Sequence, residues 1–167
     1  MGNREVTQIF QDWQANSGNW KARLVLVAFR LAVRCRALPT PLVILLIPYL
    51  ILYRVGVEWI LGIELPWKLK VGPALRLFHG MGLVVNDRAV IGANVILRHC
   101  TTIGVRETLP LGEGGAPVLE DDVDVGSNVV IVGPIRIGRG ARIGAGAVVT
   151  KDVPAGATAV GNPARIL

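Results

Sequence analysis

A mainly β fold, a parallel β-helix behind an N-terminal α-helical segment, is what this sequence predicts, and three observations predict it. Aliphatic residues recur every six positions over most of the chain beyond Leu65. Glycine follows them directly at Gly126, Gly138 and Gly144. The stretch before Leu61 lacks that period and holds two apolar runs of helical length. Six is the period of neither an α-helix nor a strand. Repeats of that length bury one aliphatic each when three of them make a triangular coil and coils stack.

The helical segment is assigned to residues 1–62 and the solenoid to 63–167. "WKARLVLVAFRLAVRCRAL" and "PLVILLIPYLILYRVGVEWIL" read as two helices divided by "PTP", because proline cannot continue a helix. Thr40 is expected as the N-cap of the second and Pro41 as its first residue. Its uninterrupted run "LVILLIPYLILY" has twelve residues, whereas a span needs about twenty. The helices are therefore expected to pack on the protein or an oligomer partner, or to lie on a membrane surface through residues 21–61. Arg23, Arg30, Arg34, Arg36, Arg54, Lys68 and Lys70 flank the apolar runs and point toward such a surface or a phosphate-bearing ligand.

In the solenoid the inward positions read Leu65, Val71, Leu77 and Leu83, then after a step of eight Ile91, Leu97 and Ile103. The series resumes as Leu119, Val125, Ile131, Ile137, Ile143 and Val149. Glycine and asparagine are expected to relieve the backbone at the corners. "GVRETLPLGEGGAP" breaks the register and reads as a loop thrown out of a coil.

Hydrophobic residues are 51% of the 167 and aromatic ones 5%, so the core is aliphatic. The two cysteines, Cys35 and Cys100, form no disulfide framework, which favours a cytoplasmic protein. The net charge of +6 comes without an aromatic-basic stripe, so no nucleic acid partner is expected.

His79 and His99 are the only histidines, each two residues beyond an inward leucine, Leu77 and Leu97. That common register stacks them on one edge, about 4.8 Å apart at the backbone. Two histidines alone make a poor zinc site, so no metal is expected. Imidazole exchanges protons near neutral pH and suits a general base that activates an alcohol toward an acyl carbonyl. Such a base needs a partner that fixes its tautomer, and Glu64, at the first corner, is the candidate.

With the repeats, "FHGMGLVVNDRAVIGANVILRHCTTIG" resembles serine acetyltransferase and its shorter relatives that acetylate exopolysaccharide sugars, the colanic acid type among them. The resemblance runs from about Asp12 to Arg165 and is without a gap from Glu64 to Gly104. It implies a left-handed β-helix, a homotrimer and acetyl-CoA as co-substrate. By the same resemblance His79 is the catalytic base, Glu64 its carboxylate partner, and Asp12 a contact to the acceptor. The coenzyme groove between subunits maps to Gly104, Ser127, Arg142 and Ala145. Arg136 and Arg139 are expected either near its phosphates or on a solvated edge.

Three departures bear on the acceptor. Phe78 stands where serine acetyltransferases place an acid beside the catalytic histidine, a loss that leaves a substrate ammonium without its counter-charge. Ala116 replaces their second active-site histidine, and His99 follows the sugar-acetylating relatives. The helical segment is also much shorter than theirs, so a simple trimer is expected. The activity implied is O-acetylation of a sugar hydroxyl in exopolysaccharide biosynthesis, with serine O-acetylation as the alternative.

Overall fold

The computed structural model describes residues 9–106 and 115–167. α1 (Trp20–Arg36) begins where the Asn19 side chain accepts from the Ala22 N–H at 3.0 Å, satisfying one of the unpaired amides of a first turn. Its last turn carries Arg34 and Arg36, cations that suit the negative end of the helix dipole. α2 (Thr40–Leu45), α3 (Ile47–Tyr53) and a π-helical turn, Arg54–Ile60, follow.

The second helix departs from expectation twice. Pro39 rather than Thr40 occupies the N-cap, without a side-chain cap. The helix also breaks at Leu46, because Pro48 has no N–H to return to the carbonyl of Ile44.

The solenoid has four full coils and a closing fifth. The first holds β1 (Ile63–Glu64), β2 (Lys70–Val71) and β3 (Arg76–Phe78); the second, β4 (Leu83–Val85), β5 (Val90–Ile91) and β6 (Ile96–Arg98). The third holds β7 (Thr102–Gly104), β8 (Val118–Leu119) and β9 (Asp124–Val125), and the fourth β10 (Val130–Val132), β11 (Arg136–Ile137) and β12 (Arg142–Ile143). β13 (Val148–Val149), β14 (Thr158–Val160) and β15 (Arg165–Ile166) close it. The three faces are the sheets β1-β4-β7-β10-β13, β2-β5-β8-β11 and β3-β6-β9-β12-β14-β15, parallel except at the last pair. The expected loop falls largely on residues 107–114, outside the described residues.

The pairing corrects the expected ladder at one rung. Glu64 pairs with Val84, and Val85 with Ile103, so Val85 rather than Leu83 continues the rung of Leu65. Leu83 pairs with Ile63 instead. The two extra residues therefore lie in the turn before Leu83, which is the turn of His79, and not between Leu83 and Ile91. Elsewhere the expected rungs hold: Val71, Ile91, Leu119 and Ile137 stack on one face, and Leu77 pairs with Leu97 on another.

The glycines that directly follow an inward aliphatic serve close approach, while backbone relief comes, as expected, from other corner glycines and from asparagines. A Cβ at Gly126 would lie 2.6 Å from the Ala145 nitrogen of the next coil. Left-handed conformations fall instead on Ala74, Asn94, Cys100, Asp122 and Asn128, with φ between 55° and 62°, and on glycines such as Gly140, Gly146 and Gly156.

One hydrophobic core runs from Val25, Leu26 and Phe29 of α1 into the solenoid, where Leu65, Leu97, Ile103 and Ile131 are fully buried. A buried polar cluster fastens the helical segment to it. Arg30, expected to flank an apolar run at the surface, is 2% exposed and grips Asp12 with two hydrogen bonds, at 2.7 and 3.1 Å. Its remaining donors reach the Val71 and Gly72 carbonyls. Asp12 Oδ1 accepts from the Leu75 N–H, and Asn16 both accepts from Leu77 N–H and donates to Leu75 C=O. Side chains thus occupy the edge of β3 as a neighbouring strand would.

Candidate active site

The turn between β3 and β4 carries His79, Gly80, Met81 and Gly82, where the next coil has only His99 and Cys100 before the matching Thr101. His79 has φ +67°, a left-handed conformation that costs a residue with a Cβ roughly 1–2 kcal/mol. Gly80 and Gly82 share the sign, at +66° and +70°. A Cβ at Gly82 would meet Cys100 Sγ at 3.2 Å, so the extra residues fold tightly over the second coil. Strain of this kind persists where the surroundings fix it and is common at functional sites.

The turn presents His79 to solvent beside half-buried His99, with ring centroids 5.9 Å apart and planes at 75°. His99 Nδ1 is buried and has no hydrogen-bond partner among the described residues, at a cost of about 1–3 kcal/mol. Its carbonyl accepts from the Asn128 N–H at 3.2 Å, which ties the corner to the third coil.

Leu77, Leu97, Val125 and Ile143 hold one column of the core. Two residues beyond each lie His79, His99, Ser127 and Ala145, so these four form a single edge. Gly146 N–H donates to the Ser127 carbonyl at 2.9 Å, joining its last two corners.

Glu64 is on β1 rather than at a corner, exposed and opposite Val84. No hydrogen bond joins it to His79 among the described residues. Its negative charge reaches Glu58, whose carboxyl is pushed above its usual range mainly by burial, with Arg54 opposing. Asp12 is 2% exposed and committed to Arg30 and Leu75, so its carboxylate serves the fold; meeting an acceptor requires that ion pair to open. Phe78 is 44% exposed with the Arg98 guanidinium 5.5 Å from its ring centroid.

Gly104 ends β7, at the far end of that strand from His99. Arg142 is exposed on β12 without an ion-pair partner among the described residues. Arg136 and Arg139 are paired with Glu120 and Asp121 across neighbouring coils.

Sequence reasoning missed Arg98, which pairs with Asp124 and donates to the Val125 carbonyl at 2.7 Å, backing Phe78. The register contains that pairing, since β6 and β9 are neighbours, but Arg98 and Asp124 are outward positions that no repeat marks. It also missed Trp20 and Lys21, which with Asn19, Phe78, His79 and Met81 line an open groove of about 520 Å³. No period marks them, because they approach the corner from the other side of the chain.

Residues 116–151 match the model of the bacterial transferase hexapeptide family, described as six repeats. A protein of Escherichia coli (strain K12) named as a colanic acid biosynthesis acetyltransferase, WcaB, is 32% identical over 161 residues, covering 95% of this chain and 98% of its own length. A serine acetyltransferase of Bacillus licheniformis is 38% identical over 111 residues, 64% of this chain and 48% of that one. Among solved structures, soybean serine acetyltransferase complexed with serine superposes with a TM-score of 0.77 at 32% identity, over 94% of this chain and 67% of that one. The solenoid, the repeat register and near end-to-end likeness to an acetyltransferase agree, and the chain belongs to the bacterial hexapeptide-repeat transferases as an acetyltransferase.

Proposed function

We propose that this acetyltransferase moves the acetyl group of acetyl-CoA to a sugar hydroxyl in exopolysaccharide biosynthesis, with His79 as general base. The observation that carries the reading is the strained, two-residue-longer turn that sets His79 beside His99 at the mouth of the groove. His79 takes the hydroxyl proton as the alkoxide oxygen attacks the thioester carbonyl. When the C–S bond breaks, it returns that proton to the departing thiolate. Glu64 orients His79, and His99 holds the acceptor or shares the proton. Backbone N–H groups of the edge stabilise the oxyanion, while Gly104, Ser127, Arg142 and Ala145 contribute to the coenzyme groove.

The groove supports a sugar over an amino acid. Phe78, Met81 and Trp20 offer apolar surface, and among the described residues Lys21 lines it and no carboxylate does, leaving an ammonium without a counter-charge there. The serine reading has the likeness to serine acetyltransferase structures in its favour and Phe78 against it. A homotrimer in the cytoplasm, in contact with the membrane's inner face through residues 21–61, completes the reading.

The test is CoA thiol release from acetyl-CoA with a panel of sugars and nucleotide sugars in parallel with L-serine. A sugar should support turnover that falls about 10²- to 10⁴-fold in His79→Ala. Turnover with serine alone, lost in the same variant, overturns the sugar assignment; turnover indifferent to the variant overturns the role of His79.

A further inference from the structure

α1 turns its apolar stripe inward, but the next two helices do the reverse. Leu45, Trp59 and Ile60 are 74%, 73% and 75% exposed, and Leu42, Ile44 and Ile51 join them on the same stretch. From Leu38 to Ile60 the chain carries one cation, Arg54, and one carboxylate, Glu58, and the two pair with each other. A patch of this kind on a soluble surface marks a contact site. No helix of the described residues is long and apolar enough to cross a membrane, and Pro48 breaks the run into short pieces that can lie flat.

The flank of the patch is basic. Where the end of α1 meets the β1–β2 turn, an open groove of about 520 Å³ is lined by Arg36, Lys68 and Lys70, and by no carboxylate among the described residues. Arg30 at its floor is already neutralised by Asp12. The groove joins the patch directly, for Ala37 lines it just before Leu38, and Trp67 on its wall packs on Tyr53 and beneath Arg54. An apolar face with cations on its border fits the boundary between acyl chains and anionic headgroups, whereas a two-fold contact with a second copy of this chain would bring the same cations against themselves.

We infer that α2, α3 and Arg54–Ile60 form an in-plane anchor on an anionic bilayer, with Arg36, Lys68 and Lys70 receiving lipid phosphates. The inference rests on the membrane-facing part of the proposed function and narrows it, limiting the lipid contact of α1 to its last residue, Arg36. It does not depend on the acceptor.

The test is flotation of the full chain with phosphatidylcholine vesicles, with and without phosphatidylglycerol. Binding should require the anionic lipid and weaken with salt. It should fall on the order of 100-fold in Arg36→Gln/Lys68→Gln/Lys70→Gln, at about fivefold per cation, and disappear in Leu45→Glu/Ile51→Glu. Circular dichroism checks that each variant is folded; because the two sets alter different surfaces, one can be read if the other fails to fold. His79→Ala should bind like the wild type, which separates this surface from acetyl transfer. Absence of wild-type binding, equal binding to neutral vesicles, or binding unchanged in the folded variants overturns the anchor. So does light scattering that shows Leu45→Glu/Ile51→Glu splitting an assembly while no vesicle binding occurs, which assigns the face to a second copy.

Discussion

The two ends of the solenoid are closed in different ways. At the C-terminal end β15 turns back antiparallel on β14, Ala159 opposite Ile166 and Val160 opposite Arg165, so backbone satisfies backbone. At the other end the edge of β3 is taken by side chains: Asp12 and Asn16 on Leu75, Asn16 and Asn19 on Leu77. Backbone closure asks little of residue identity. Side-chain closure concentrates the same task in a few buried polar groups, each costly to leave unpaired. The histidine turn follows β3 at once, so the reactive edge stands at the end whose closure depends most on particular residues.

That contrast is broken most sharply at Arg30. Replacing it with Met leaves the Asp12 carboxylate buried without its cation, and the expected loss is about 3–5 kcal/mol, read from thermal and urea unfolding. A loss below about 1 kcal/mol means that water reaches the cluster and the two closures are equivalent. Asn16→Ala comes next. It strips partners from the Leu75 carbonyl and the Leu77 amide, for roughly 1–3 kcal/mol per unsatisfied group. At temperatures where this variant is still folded, acetyl transfer should also fall, because β3 carries the corner.

The same contrast explains what could be read from the sequence. The solenoid was legible because each inward aliphatic repeats at six and every coil confirms the one before it. Val71, Ile91, Leu119 and Ile137 could be assigned from spacing alone. Leu83 misled because it is as apolar as Val85 and falls on the six-residue step, while the inserted residues lie in the preceding turn. The stacking of His79 on His99 survived that error, since both are counted from Leu77 and Leu97, which do pair. The closure by Asp12, Asn16 and Arg30 was illegible. Asp12 and Asn16 lie 59 to 63 positions from their partners on the strand edge, and a lone arginine in an apolar helix looks the same whether it meets lipid phosphate or a buried aspartate.

A smaller effect is expected from the other end. Removing residues 165–167 deletes β15 and with it a few backbone hydrogen bonds at an exposed edge, for about 1 kcal/mol in total. Proton transfer at the histidines, at the opposite end of the stack, should be unchanged, and any effect on acetyl transfer should appear in the KM for acetyl-CoA through Arg142, whose strand β12 pairs with β14. A loss as large as that of Arg30→Met removes the asymmetry between the two closures.

The smallest effect separates strain from chemistry at the site itself. His79 and Asn128 are both left-handed, at φ +67° and +56°, yet asparagine accepts that conformation more readily than most residues. His79→Gly should therefore raise stability by about 0.5–1 kcal/mol while removing acetyl transfer, whereas Asn128→Gly should change stability by only a few tenths of a kcal/mol. His79→Ala, which retains a Cβ in the same conformation, should lose activity without that gain in unfolding midpoint. If His79→Gly is instead destabilised, the imidazole holds the turn together, and the conformation at φ +67° is a consequence of its packing rather than a cost borne for the reaction.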